Sequence, residues 1–228
     1  MTFPRSTGLA GVLMITTALV TAAAASAPSD VDPQALAGSL QQTYDRVRDF
    51  STDFVHSYRG WVLRKTVKES GRLLVKKPGK MRWTYVKPEE KVFVSDGRKM
   101  YSYIPADRQV YVTTVPSDDQ ASTPALFLAG KGNLLRDFEV SSAALPSDAP
   151  PDTVALRLLP RTKERDYESL ILVVDRSTLQ LRMLVADDRQ GGQSMFSFSN
   201  LRENIGVSDG EFAFKIPRGA DVITDTPK

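Results

Sequence analysis

Apolar residues recur along this chain mostly with a period of two. Met81, Trp83 and Tyr85 alternate with Lys80, Arg82 and Thr84, which predicts a strand dry on one face and wet on the other. Leu73 and Val75 share one phase, and Lys77 continues it, with Arg72 and Lys76 opposite. Phe50, Phe54 and Tyr58 share a phase too. Val92 to Val94 and Met100 to Tyr103 flank Asp96-Gly97, which predicts a hairpin centred on those two residues. Strands are expected again at Val154 to Leu159, Leu170 to Val174, along Leu179, Leu181, Met183 and Val185, and at Phe196 to Phe198. Phe212, Phe214 and Ile216 are expected to close the sheet before Pro217.

Helical spacing is rarer. Asp32 is a good N-cap, Pro33 suits the first helical position, and Val31 and Leu36 have the spacing of a hydrophobic staple. Leu36, Leu40, Tyr44 and Val47 then form one apolar stripe. Within Ser117 to Gly130 a loop precedes a short helix carrying Leu126, Phe127 and Leu128, and Gly130 ends it. Ser141 to Asp152, with Pro146, Pro150 and Pro151, reads as a loop.

These elements predict a mainly β, α+β domain: roughly ten antiparallel strands in a strongly curved sheet with two or three helices. So few helices cannot fill the dry face of so broad a sheet, so a cavity lined by apolar side chains is expected there. The candidate lining is Phe54, Leu73, Val75, Met81, Trp83, Tyr85, Val92 and Tyr101 from strands. Leu36, Leu40, Leu126 and Phe127 complete it from helices.

The N-terminus changes the picture of where this happens. Arg5 is followed by the apolar run LAGVLMITTALVTAAAASA, the pattern of a secretory signal, with cleavage expected after Ala25 and Ala27 as the other site. An uncleaved anchor is the alternative. Residues 26–228 are then read as one exported domain, in the periplasm if the cell has two membranes. The whole chain carries +3, and Arg5 is the only charge before Asp30, so the exported part is near +2. Neither that balance nor export suits a nucleic-acid binder. Cysteine is absent, which excludes disulfides and a lipidated cysteine.

Catalytic chemistry is sparse. No G-x-S-x-G, S-x-x-K or Walker-type loop occurs, and His56 is the single histidine, expected at a sheet margin. Asp118-Asp119 and Asp187-Asp188 are expected as solvated turn residues, and Lys80 and Arg82 as solvated strand residues. With candidate catalytic groups so sparse, no enzyme activity is expected, and a single histidine rules out a histidine-rich metal site. Lys77 stands apart: it should point inward at a strand end before Pro78, either snorkelling to water or holding a carbonyl or head group at the cavity mouth.

The run GRLLVKKPGKMRW from Gly71 to Trp83 is followed by Pro88, VSDG at Val94 to Gly97, and Tyr101 to Pro105 as Y-S-Y-x-P. Thr123 to Leu128 reads TPALFL, Phe212 to Gly219 fits F-x-F-x-x-P-x-G, and Phe50 to Phe54 fits F-x-x-x-F. This ordered set resembles the periplasmic outer-membrane lipoprotein carrier family, the LolA type. The resemblance implies an unclosed half-barrel with helices as a lid over a hydrophobic cavity that holds acyl chains. It implies acylated lipoproteins as cargo, an inner-membrane lipoprotein-releasing ABC transporter as donor, an outer-membrane receptor where one exists, and action as a monomer without cofactor. It places a lid-latching arginine at the position of Lys77, where lysine offers three flexible donors in place of a rigid fork of five. Met81 takes the place of the apolar residue two before the family's tryptophan, and methionine suits varied chains. Related half-barrels include receptors, for which the lipidation cysteine is missing, and envelope-stress sensors, expected to carry a further C-terminal domain. A carrier or sensor of another lipid is a further alternative, and an enzyme on the same fold is the rival of a different class.

Overall fold

A computed structural model describes residues 31–60, 66–115, 124–164 and 166–224. The expected signal and its cleavage site, and Asp118-Asp119, lie outside these residues, as does the side chain of Leu126.

Helix α1 spans Pro33–Asp45, and Asp32 caps it by accepting from the Gln34 amide at 3.0 Å. Then come β1 (Asp49–Arg59), β2 (Thr66–Lys76), β3 (Lys80–Lys87), β4 (Lys91–Asp96), β5 (Lys99–Ile104) and β6 (Gln109–Thr114). Two short helices follow, α2 (Pro124–Leu128) and α3 (Leu134–Asp137). The second half is β7 (Phe138–Ala143), β8 (Thr153–Pro160), β9 (Ser169–Asp175), β10 (Leu181–Asp187), β11 (Gln193–Glu203) and β12 (Asp221–Thr224).

All 12 strands belong to one sheet, in the order β12-β6-β5-β4-β3-β2-β1-β11-β10-β9-β8-β7. The two end strands do not pair with each other, so the sheet is a half-barrel that never closes. Its topology is two meanders, β1 to β6 and β7 to β11, joined by the β1–β11 pair at the centre. The concave face meets α1, α2 and α3, and that contact holds the main core: Leu36 and Leu40 against Phe50, Phe54, Leu73, Val75, Leu156 and Leu172.

Four expectations need correction. Phe212 to Ile216 form no strand: Asp209–Phe212 is a 3-10 turn, and the last strand is β12, parallel to β6. The alternation there has another cause. Phe212 is 1% exposed and Phe214 stacks on Tyr101 at 5.2 Å, so these rings plug the outer face of the sheet rather than pair with it. The hairpin turn is Gly97-Arg98, not Asp96-Gly97, because Asp96 Oδ1 accepts from the amides of Arg98 and Lys99 and so stands one place earlier. Leu179 lies outside β10, with φ of 57°, and a bulge after Leu181 breaks the expected phase. Leu184 therefore faces the main core, while Met183 packs on the outer face with Ala155 and Val173. The loop after β7 starts at residue 144, not at Ser141, and its Ala149 covers that outer cluster.

Gly71 shows how tightly the concave floor is built. A Cβ there would lie 2.0 Å from the Thr84 carbonyl oxygen and 2.9 Å from the Phe54 ring. The absent side chain lets Phe54 lie directly on β2 at the β2–β3 bulge.

Candidate functional site

The concave face divides into two compartments. Beneath α1 and α2, Leu40, Val47, Phe50, Phe127, Leu181 and Phe198 surround a free volume of about 40 Å³. That is room for a few water molecules and far less than an acyl chain needs. Beside it lies a second void of about 190 Å³, walled by Met81, Trp83, Tyr85, Phe93, Met100 and Phe196. Phe54 packs on the wall of this second void: its ring meets Trp83 edge-on at 5.0 Å and Tyr85 at 4.8 Å. Met81 sulfur accepts from Trp83 Nε1 at 3.3 Å, which satisfies the one polar atom of the indole.

The helices are held over the first compartment by a few polar contacts. Tyr44, in the last turn of α1, donates its hydroxyl to the Leu128 carbonyl at the end of α2. Lys77 Nζ donates to the Tyr44 carbonyl and sits 3.3 Å from the centroid of the Tyr44 ring. The Gly79 amide donates to the Ala129 carbonyl at 2.9 Å, and the Leu134 amide to Gln41 Oε1 at 2.8 Å. Burial lowers the Lys77 amine from 10.5 to about 8, against the opposing pull of Asp45 and Glu203. Burial foremost, then Glu203, pushes the Tyr44 phenol well above its ordinary range, so it stays a donor.

Gly130 makes room for this contact. Its φ is 80°, and a Cβ there would lie 2.6 Å from Lys77 Cδ and 2.8 Å from Cγ. Gly130→Ala should therefore displace the lysine stem and strain the turn, at a cost of about 2 kcal/mol. Chemical denaturation with an unchanged m-value would read this. A midpoint equal to wild type would mean that the Lys77 stem moves aside freely.

Of the residues expected at the cavity, Leu36, Leu40, Phe54, Leu73, Val75, Met81, Trp83, Tyr85 and Phe127 lie in the concave core. Val92 and Tyr101 do not. Trp83 pairs with Phe93, and Thr84 with Val92, so Val92 shares the outer face with Thr84. Tyr101 pairs with Val94 on that same face and stacks on Phe214. Phe93 and Met100 take their places on the concave side. In Val92-Phe93-Val94 both phases are apolar because both faces are covered, so alternation alone cannot choose between them. Counting the phase outward from Trp83 through the hairpin would have found Phe93. Phe196 and Phe198 had a strand assignment but no assigned face.

His56 lies near the end of β1, which is the seventh strand of the sheet, and its ring stacks on Phe196 at 4.2 Å. Lys80 and Arg82 are more than solvated. Lys80 pairs with Asp209 at 2.9 Å and Arg82 donates to the Glu211 carbonyl at 3.1 Å, so both hold the 3-10 turn against the outer face. Asp187 accepts from the Ser169 hydroxyl at 2.7 Å, and Asp188 caps the β10–β11 turn through the amides of Gln190 and Gly192. Among the described residues no cluster of acidic or histidine side chains could hold a metal ion. No helix there is long and apolar enough to cross a membrane.

The family described as outer membrane lipoprotein carrier protein LolA matches residues 45–215. An outer-membrane lipoprotein carrier protein of Nitrosomonas europaea is 30% identical over 189 residues, covering 82% of this chain and 88% of that protein. One of Methylibium petroleiphilum is 35% identical over 159 residues, covering 70% and 74%. Among solved structures, an uncharacterized conserved protein from Thermus thermophilus shares the fold with a TM-score of 0.51 at 10% identity, covering 84% of this chain and 98% of that one. The half-barrel with its apolar concave face, and a family match spanning most of its strands, lead to one conclusion: this chain belongs to the outer membrane lipoprotein carrier family.

Proposed function

We infer that this chain carries lipoproteins through the periplasm by holding their acyl chains on its concave face. In this reading it receives them from an inner-membrane releasing ABC transporter. It delivers them to the outer membrane, through a receptor where the cell has one. Proteins of this family are carriers rather than enzymes.

The observation that supports it best is the pair of compartments beneath the helices. One is filled by the lid and one is open, and both are lined by apolar side chains. Each buried CH2 contributes about 0.8 kcal/mol, so a chain of roughly fifteen costs on the order of 12 kcal/mol to expose to water. A lid that packs into its own cavity when empty recovers part of that burial on release, so tight capture and release become compatible. Lys77 is partly desolvated in making its contact with the lid.

The test is to add the chain from residue 26 onward to spheroplasts producing a tagged lipoprotein and to examine the supernatant by native mass spectrometry with lipid extraction. Release of the lipoprotein as a one-to-one complex is expected. A bound free phospholipid with no lipoprotein released would keep the cavity and replace the cargo.

A further inference from the structure

Next to Tyr85 and Phe196 in the wall of the aromatic compartment lies a group of polar side chains that the lid and the apolar cavity do not use. Strand register brings them together. His56 pairs with Glu69 across β1 and β2, and Tyr85 with Lys91 across β3 and β4, all on the concave side. His56 Nδ1 lies 3.1 Å from Glu69 Oε2, and Lys91 Nζ bonds the other oxygen of the same carboxylate. The Ser194 hydroxyl lies 3.4 Å from His56 Nε2. The side chains of His56 and Glu69 are only 14% and 13% exposed, and that of Lys91 is 25% exposed.

The line of contacts defines who donates. Burial lowers the His56 pKa despite the pull of Glu69, so the ring is neutral at neutral pH. Its Nδ1–H then donates to Glu69, and Nε2 accepts from Ser194. Burial opposes ionisation of Glu69, but the bonds from Lys91 and His56 outweigh it and hold the carboxyl below its ordinary range. Glu69 thus anchors the Lys91 ammonium, which stands 4.7 Å from the centroid of the Tyr85 ring. Among the described residues Lys91 makes this one ion pair, which leaves two of its three protons undirected.

Tyr85 adds an independent observation. It is 7% exposed, lines the 190 Å³ void, and its hydroxyl makes no hydrogen bond to a described residue. No described side-chain oxygen is both sealed from solvent and unbonded, so this hydroxyl keeps contact with solvent-accessible space. A polar atom kept at the end of an apolar pocket favours a ligand with an acceptor there.

We propose that Tyr85 and Lys91, braced by Glu69 and His56, form a polar subsite that hydrogen-bonds the ester and amide carbonyls at the head of a bound acyl chain. This rests on the concave face being an acyl-chain site. It adds a direction: the carbonyl end sits at the β1–β4 rim and the methyl end runs toward α1. The ligand chemistry follows from the groups present. Tyr85 lines the void and the Lys91 ammonium lies against its ring, while the local carboxylate is already saturated by Lys91 and His56. An uncharged acceptor therefore fits better than a cation or a donor.

The test compares two fluorescent probes, parinaric acid methyl ester and the hydrocarbon diphenylhexatriene. They are titrated into wild type, Tyr85→Phe and Lys91→Met. Tyr85→Phe keeps the ring and removes one oxygen, so the aromatic wall stays intact. The ester should bind each variant about tenfold more weakly, with the hydrocarbon unchanged. Equal losses for both probes, or no loss for either, would overturn the subsite while leaving the apolar site standing. Failure of both probes to bind wild type would overturn the acyl-chain reading itself, and the subsite with it.

Discussion

Met100→Glu is expected to weaken capture of acylated cargo by about a hundredfold while the protein still folds, whereas Tyr101→Gln leaves capture unchanged. The two residues are neighbours in β5 and point to opposite faces. Met100 lines the 190 Å³ void and is only partly buried, so an apo protein can hydrate the new carboxylate there. A bound chain would strip that water without supplying a partner, and an unpaired desolvated carboxylate costs several kcal/mol. A hundredfold loss corresponds to about 2.7 kcal/mol. Tyr101 gives up only its stacking on Phe214, on the outer face. Binding of a tagged lipoprotein, with a melting curve for each variant, separates the outcomes. Loss of capture in Tyr101→Gln at an unchanged melting temperature would mean that cargo sits on the outer face.

The second large effect is a pH dependence that arginine would not show. With the lid closed, Lys77 releases its proton at about 8, and a solvated lysine does so near 10.5. Between those values the closed, folded state holds fewer protons than the open or unfolded one, so stability rises with pH through that window. Below about 8 both states are protonated and the cost of burying the charge is present in full. The gap corresponds to about 3 kcal/mol, reduced to about 2 kcal/mol because Lys77 keeps some contact with solvent. Lys77→Arg stays charged throughout. The difference in unfolding free energy between wild type and Lys77→Arg should therefore move in favour of wild type from pH 8 to 10. Subtracting the two curves removes the titration of the tyrosines they share. Parallel curves would show that Lys77 is not desolvated in solution. The contact of Lys77 with Tyr44 is therefore weakest at neutral pH, where the ammonium is held at a cost by one carbonyl and one ring.

Much of this arrangement was legible in local pattern. The Asp32 cap, the Leu36–Leu40 stripe and the Met81–Trp83–Tyr85 alternation each depend on neighbours within a few residues. Short-range sterics and the pleat therefore settle them. The inward course of Lys77 followed from the same phase as Leu73 and Val75, and Phe54 from that of Phe50. Where both faces of a strand are covered, that logic stops. Val92-Phe93-Val94 is apolar on both sides because Phe214 and the 3-10 turn cover the outer face, so only the pairing of Trp83 with Phe93 decides which side meets the cavity. The Phe212–Phe214 alternation misled for the same reason, since plugging a surface and joining a sheet demand the same period.

The sequence by itself determined the secondary-structure class, the helix that covers the sheet, most of the concave lining and, through its motifs, the family. Tertiary structure alone decided what lies far apart in the chain and close in space. Ser194 sits beside His56, Lys77 beneath Tyr44, and Gly130 beneath the stem of Lys77. Those contacts depend on strand order and on a bulge that resets register, and no local periodicity encodes either.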